Sequence, residues 1–168
     1  MAAGSTYTPI ATNTLGSAQA TVTFSSISGS YTDLVMVANV GCSSASQRAG
    51  WQANADTSTN YSRTILYGNG TTAASDRASN DSVAWGIFDG IGGISTTLAG
   101  NFITHFQNYS NATTYKTAVT RYNAASIGTG TSVQLWRSTA AITSLVFSLS
   151  GGNWLSGSTF TLYGIAAA

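Results

Sequence analysis

The sequence contains no glutamate, and its ionisable side chains are few. Asp, Glu, Lys and Arg together account for 7% of its 168 residues, whereas an average globular protein carries about 25%. Helices that face solvent depend on such residues, Glu and Lys above all. Ser, Thr, Asn and Gly are abundant in their place, so the composition favours strands and turns over helices.

Cysteine and proline each occur once. Cys42 cannot form an internal disulfide, so packing and hydrogen bonds must hold the fold together. Because no acidic or histidine side chain is near it in sequence, we expect a small buried residue at a strand end and not a reactive thiol. Pro9 lies in the segment STYTPIAT. Since proline cannot donate to a strand ladder, this segment is predicted to be an extended arm or an edge strand.

Long hydrophobic runs are also missing. No stretch approaches the roughly 18 consecutive apolar residues of a membrane span, and the N-terminus lacks the pattern of a signal peptide. We therefore expect a soluble protein made in the cytoplasm, without a membrane partner. The formal net charge is +1 and the basic residues are scattered, which argues against nucleic-acid binding through several phosphates.

The sequence is rich in segments in which apolar and polar residues alternate. Val22 and Phe24 share one strand face, and the later runs ITSLVFSLS and STFTLYGI alternate in the same way. The apolar segment from Leu34 to Ala38 predicts a central strand covered on both faces. We count nine or ten strands and predict an all-β, antiparallel β-sandwich that is jelly-roll-like. The single domain spans residues 16–168 and follows an extended N-terminal arm at residues 1–15.

Two segments depart from this pattern. The stretch from about residue 68 to 82 is small and polar without periodicity, which predicts a long surface loop. No run of a dozen residues has helical periodicity, and only residues 59–66 are compatible with a short turn of helix.

The titratable side chains form no catalytic motif. They are Asp33, Asp56, Asp76, Asp81, Asp89 and His105. His105 has the opposite parity to Phe102 and Phe106, so we interpret it as a sheet-surface or interface histidine. A serine nucleophile on a Gly-x-Ser-x-Gly turn is absent as well. The sequence therefore predicts that the protein is not an enzyme.

The turn from Asn54 to Asn60 carries oxygen-bearing side chains at alternate positions, like the start of a calcium loop. It lacks the glycine at position six and the acidic residue at position twelve, where Ile65 falls. We interpret it as a polar turn closed by Asx-type hydrogen bonds, and we predict neither a metal nor a cofactor.

Several aromatic residues are candidates for contact surfaces. Trp136 and Tyr163 have the opposite parity to Leu135 and Leu162, so we expect both on an outer sheet face that meets a neighbour. Burial in the core or at a subunit interface is the commoner outcome for tryptophan in a strand.

Three stretches resemble a known group of proteins. They are TYTPIATNTLGSAQATVTFSSISGSYTDLVMV, NADTSTNYSRTILYGNG and ITSLVFSLSGGNWLSGSTFTLYGI, which cover most of the chain. They resemble small virion structural proteins of tailed bacteriophages, cyanophages among them. In that group an Asn-x-Asp turn leads into Asn-Tyr-Ser, and the chain ends close to Gly-Ser-x-Phe-x-Leu-Tyr-Gly-Ile. Ala55 stands where those proteins often have glycine.

The resemblance implies a structural role in a virion. A short chain without fibrous repeats is most similar to a capsid decoration, or cement, protein. Such a protein is expected as a homotrimer on the capsid surface that binds the major capsid protein and stabilises the lattice after synthesis in the host cytoplasm. We expect Tyr7, Pro9 and Ile10 of the arm to contact the capsid or another subunit, because an extended segment can add a strand to an exposed edge. Trp136 and Tyr163 are the other expected contacts.

The alternative is a tail-associated module that binds polysaccharide on the host surface. Aromatic and amide groups suit carbohydrates, and Trp51 or Trp154 would supply them together with residues 68–82. A glycan hydrolase would need two carboxylates flanking a cleft, which five scattered aspartates do not provide.

Overall fold

The computed structural model describes residues 6–87, 94, 96–98, 100–125 and 128–166. Within these ranges the chain forms twelve β-strands and no helix. The strands are β1 (Tyr7–Thr14), β2 (Thr21–Phe24), β3 (Asp33–Val40), β4 (Ala49–Ala53), β5 (Tyr61–Gly68), β6 (Ala73–Asp81), β7 (Ala84–Ile87), β8 (Gly100–Gln107), β9 (Lys116–Ala124), β10 (Gly128–Trp136), β11 (Leu145–Leu149) and β12 (Thr159–Ile165). A helix long and apolar enough to cross a membrane is not found among the described residues.

The strands form two antiparallel sheets. Eight make the large sheet, in the order β1-β12-β3-β8-β9-β10-β5-β6, and four make the small sheet, in the order β2-β11-β4-β7. The predicted all-β sandwich is confirmed, with twelve described strands instead of nine or ten. The division into eight and four is unequal, whereas a jelly roll shares eight strands between its sheets. Asp89 lies outside the described residues.

The core between the sheets contains a cluster of aromatic rings. Phe147 of β11 packs against Phe102, Phe106 and Phe160 of the large sheet, with ring centroids 6.2, 6.5 and 6.2 Å away. Trp51 of β4 lies 4.9 Å from Phe106. These five side chains are 3% exposed or less. Complete burial of a large apolar side chain contributes about 1.5–3 kcal/mol, so this cluster is a main source of stability.

Strands that bury one face follow the alternation in the sequence. Val22 and Phe24 of β2 are buried, and so are Phe160 and Leu162 of β12. Cys42 is also buried, as predicted, two residues after the end of β3. Each of these strands has one side against the core and one side away from it, which is the condition that produces a period of two.

β3 is a central strand, but only its first half is covered on both faces. Leu34 and Met36 face the core. On the opposite face Val35 is 6% exposed while Val37 is 38% exposed. The prediction of two covered faces is therefore wrong for the second half, because none of the described residues forms a layer over that part of the large sheet.

β5 and β6 form a hairpin where the sequence predicted a helical turn and a long loop. The two strands pair antiparallel, and only residues 69–72 form the turn. The Asn69 side chain closes it, since Oδ1 accepts the backbone N–H groups of Thr71 and Thr72 at 3.1 and 2.9 Å. β6 is an edge strand of small and charged residues, so it lacks the apolar alternation that identifies a half-buried strand.

From Tyr7 onwards, the predicted arm is an edge strand of the large sheet. β1 pairs with β12, with Tyr7 opposite Ile165 and a bulge between Pro9 and Ala11. An edge position suits Pro9, which has no N–H to donate. The proline and the bulge also protect the free edge of β1 against pairing with another chain.

Candidate functional site

A buried cluster of charges joins β5 to β6. Arg63 is 7% exposed. Its Nη2 atom lies 3.1 Å from Oδ2 of Asp76, and its Nη1 atom is hydrogen-bonded to Asp81. The planar guanidinium satisfies both carboxylates at once. These two aspartates therefore stabilise the hairpin and are not free for acid/base chemistry.

Hydrogen bonds close the turn around Asp56, as predicted. Oδ1 accepts the backbone N–H of Ser58 at 2.9 Å, while Oδ2 accepts from Asn60 Nδ2 at 3.0 Å and from Trp136 Nε1 at 2.7 Å. Burial alone would raise the pKa of Asp56, but the hydrogen bonds outweigh it and lower the pKa to about 2. Protein donors thus occupy both oxygens. The described residues contain no cluster of three or more His, Cys, Asp or Glu side chains that could hold a metal.

His105 has a partner that sequence reasoning missed. Its Nε2 atom lies 2.8 Å from Oδ2 of Asp33, and the backbone N–H of Asn108 donates to Oδ1 of the same carboxylate at 2.7 Å. The pairing of β3 with β8 brings these distant residues together. The histidine side chain is 38% exposed, which agrees with a sheet-surface position. No signal in the sequence links the two residues, because their pairing depends on strand order and register.

Lys116 is the most deeply buried charged residue of the described chain, at 1% exposure. Its Nζ atom donates to the carbonyl oxygens of Thr114 and Thr139 at 2.6 and 3.1 Å. Burial lowers the pKa of this ammonium group. The contact ties the start of β9 to the segment after β10, which is a structural role.

The tryptophans named as carbohydrate contacts are core residues. Trp51 is 1% exposed and Trp154 is 0% exposed. Trp154 packs edge-to-face on Phe160, with ring centroids 5.1 Å apart. A sugar ring could not stack on either indole without opening the core. The carbohydrate-binding alternative therefore loses both of its tryptophans.

β10 buries two polar side chains on its inner face, beside Trp136, and turns two apolar side chains outwards. Ser132, Gln134 and Trp136 are buried, whereas Val133 is 52% exposed and Leu135 is half-buried. The prediction that Trp136 lies on an outer face is therefore wrong. Apolar alternation pointed to Leu135 as the buried residue, but hydrogen bonds decide the orientation of this strand.

Those hydrogen bonds form a network between the sheets. Ser132 Oγ donates to the carbonyl oxygen of Gly86 at 2.8 Å. The side-chain amide of Gln134 lies 3.1 Å from Thr120 Oγ1, which is 2.8 Å from Thr104 Oγ1. Leaving such a buried group unpaired costs about 1–3 kcal/mol. The network avoids that cost and fixes β7 against the large sheet.

The outer face of the large sheet, turned away from the small sheet, is broad and nearly neutral. Directly paired residues form rows that cross all eight strands. The first row is Pro9, Tyr163, Val35, His105, Val119, Val133, Thr64 and Arg77. The second row is Thr12, Thr161, Val37, Ile103, Arg121, Thr131, Leu66 and Ser75. The third row is Thr14, Thr159, Asn39, Asn101, Asn123, Thr129, Gly68 and Ala73.

Three residues predicted to make contacts lie together at one end of this outer face. Tyr7 is 52% exposed and packs edge-to-face on Tyr163, with ring centroids 6.1 Å apart. Pro9 is paired directly with Tyr163. Ile10 is turned the other way and packs against the core. The structure therefore brings Tyr7, Pro9 and Tyr163 onto one surface and separates Ile10 from it.

Two exposed apolar residues lie towards the other end of the outer face. Leu66 is 59% exposed and Val133 is 52% exposed. Leu66 is opposite Thr131, two residues from Val133, so the two are diagonal neighbours on β5 and β10. Sequence reasoning missed them. Leu66 belongs to the unbroken apolar run that begins at Ile65, and such a run does not show which side chain faces outwards.

No known protein-family model matches the chain, and no curated protein matches it.

Proposed function

We propose that the protein is a structural subunit of a tailed-phage virion, most specifically a homotrimeric capsid decoration protein. It binds the outside of the major capsid lattice and stabilises it. The observation that carries the proposal is the outer face of the large sheet, a broad surface of hydroxyl, amide and apolar side chains on a two-layer fold. The sequence resemblance to small virion structural proteins supports the same role.

The chemistry of the outer face suits a stable protein contact. Thr and Asn side chains both donate and accept hydrogen bonds, so they adapt to many partner groups. Asn39 and Asn101 already form such a bond across β3 and β8, at 2.8 Å. Burying neutral groups of this kind costs less than burying unpaired charges. A surface with this composition can be covered in an assembly at little desolvation cost.

The state of the ionisable groups also favours a structural role. Asp56, Asp76 and Asp81 are held by donors within the fold, and Lys116 is bound to backbone carbonyls. Catalysis needs titratable groups positioned towards a substrate. The tail-associated alternative has no comparable observation in its favour, since its two tryptophans are buried.

Electron microscopy of virions tests the proposal. Particles of the phage that encodes the chain are compared with particles from a mutant that lacks it. We expect additional density with the shape of the sandwich at symmetric positions outside the head of the complete particle. Mutant heads should release their DNA at a lower temperature. Density confined to the tail would contradict the capsid role, and absence of the chain from purified virions would overturn the virion role.

A further inference from the structure

Two arginines on the outer face have no partner in the described part of the chain. Arg77 on β6 and Arg121 on β9 are the exposed charged residues of this face in the described part of the chain. The ion pairs among the described residues involve other side chains. Arg77 lies in the first row and Arg121 in the second row of the outer face.

The described aspartates are already engaged. Asp33 is bound by His105 and the backbone of Asn108. Asp56 is bound within its turn, and the remaining two are bound to Arg63. A second copy of the chain would bring two further unpaired cations to this face and no free carboxylate from its described residues. On the described residues, therefore, the complement for the arginines comes from a different protein.

Apolar side chains lie between the two arginines. Strands β6, β5, β10 and β9 are neighbours in that order, so the backbones at Arg77 and Arg121 are about 16 Å apart at the usual strand spacing and a two-residue offset along the strands. Leu66 and Val133 lie on the two strands between them. An open concavity of about 490 Å³ adjoins Arg77, Thr64 and Val133. Apolar anchors beside arginines are typical of the energetically important centre of protein interfaces.

We propose that Leu66, Arg77, Arg121 and Val133 form a docking patch for a folded protein surface that presents carboxylates opposite the two arginines. Leu66 and Val133 make the apolar contact, and the guanidinium groups fix orientation and select the partner. The inference rests on the proposed function, in which the carboxylate-bearing surface belongs to the head lattice. Charge complementarity singles out this partner, since a second copy has no free described carboxylate to offer.

Binding of the purified protein to heads from the deletion mutant tests the docking patch. The variants are Arg77→Gln with Arg121→Gln, the charge-conserving Arg77→Lys with Arg121→Lys, and Thr23→Gln as a matched control on the small sheet, where Thr23 is exposed. At low NaCl we expect the double glutamine variant to bind about tenfold more weakly or worse. The double lysine variant should lose less, and the control should bind like the wild type. Added NaCl should weaken the wild type more than the double glutamine variant, because only the wild type has the two arginine charges that NaCl would screen in the docking patch.

The outcomes separate the two proposals. If the double glutamine variant binds like the wild type at low and high NaCl, the docking patch is wrong and the capsid role stands. If the wild-type protein does not bind the heads at all, both proposals fail. The exposed pair Leu66→Ser with Val133→Thr provides a second test, since it should weaken binding without changing its dependence on NaCl. Unchanged affinity of that variant would contradict the apolar part of the docking patch. Thermal unfolding of each variant checks that its fold is intact.

Discussion

At the residue scale, Asp56 shows how a carboxylate stabilises this fold without taking part in chemistry. Its two oxygens accept hydrogen bonds from Ser58, Asn60 and Trp136. The bond to Trp136 connects the turn between β4 and β5 to the last residue of β10. This one side chain therefore links the two sheets at the end of the sandwich where the turn lies.

We predict that Asp56 makes the free energy of unfolding fall in acid. Its pKa is lowered from 3.8 to about 2 in the folded protein. The stabilisation is therefore fully present above pH 3.8 and is lost as the pH falls towards 2. Near neutral pH, Asp56→Asn should lower the free energy of unfolding by about 1–2 kcal/mol, after allowance for solvent screening. Urea unfolding followed by tryptophan fluorescence at several pH values measures both effects.

Thr57→Ala, an exposed substitution in the same turn, is the control and should leave the acid profile unchanged. If Asp56→Asn loses stability in acid as steeply as the wild type, other carboxylates are responsible and the prediction is wrong.

Single residues also show which parts of the candidate site the sequence can predict and which it cannot. Tyr163 was placed correctly because its neighbours on β12 alternate cleanly. His105 and Asp33 lie far apart in the chain, and only the register of β3 against β8 reveals that they are partners. Leu66 was missed for a different reason: both sides of β5 carry large side chains, so hydrophobicity alone does not show which side is exposed.

At the element scale, the sequence predicts strands well where one face is buried and the other is not. β2 and β12 meet this condition. β6 does not meet this condition, because an edge strand with small side chains has no apolar stripe. Its pairing with β5 uses backbone groups, which any residue can supply. β10 does not either, since its inner side chains are held by hydrogen bonds. The strands that were missed or turned the wrong way are those stabilised by polar contacts.

β4 and β7 approach closely at Gly50, which gives a test of their packing. A Cβ atom at Gly50 would lie 2.7 Å from the carbonyl oxygen of Ala84 and 2.8 Å from Cγ1 of Val83. We predict that Gly50→Ala lowers the free energy of unfolding by about 1–3 kcal/mol, because a backbone atom must move to make room. Thermal and urea unfolding followed by circular dichroism measure the change.

Gly16→Ala is the matched control for Gly50→Ala. A Cβ atom at Gly16 would meet nothing within 4 Å, so the free energy of unfolding should change by no more than about 0.5 kcal/mol. If the two variants have the same free energy of unfolding, β7 moves away from β4 without loss of stability and the prediction for Gly50→Ala is wrong.

At the scale of the whole molecule, the first and last strands are neighbours. β1 and β12 pair antiparallel, with Tyr7 opposite Ile165. Both ends of the described chain therefore lie at the same corner of the large sheet. The strand order also explains why composition and periodicity predicted a sandwich but not its topology. β1 and β12 pair although they lie at opposite ends of the described chain, and no local sequence pattern indicates such a pairing.

We predict that a circular permutant folds to the same sandwich. A short Gly-Ser linker joins residues 6 and 166, and the chain is opened between Gly70 and Thr71, in the exposed turn after β5. Its circular dichroism spectrum should match that of the parent, and its free energy of unfolding should fall by no more than about 2 kcal/mol, because exposed turns tolerate new ends. A permutant opened between Thr104 and His105, inside the central strand β8, should not fold. Folding of both, or of neither, would contradict this account of the chain ends.

The scarcity of ionisable side chains has a consequence for how the protein responds to its surroundings. Charged residues make up 7% of the chain, and burial raises the pKa of its single cysteine, so few side chains can exchange protons between mildly acid and mildly alkaline water. Its buffering capacity is therefore small, and its electrophoretic mobility should change little over this range. A contact made by such a surface therefore involves few groups whose charge could change with the acidity of the medium.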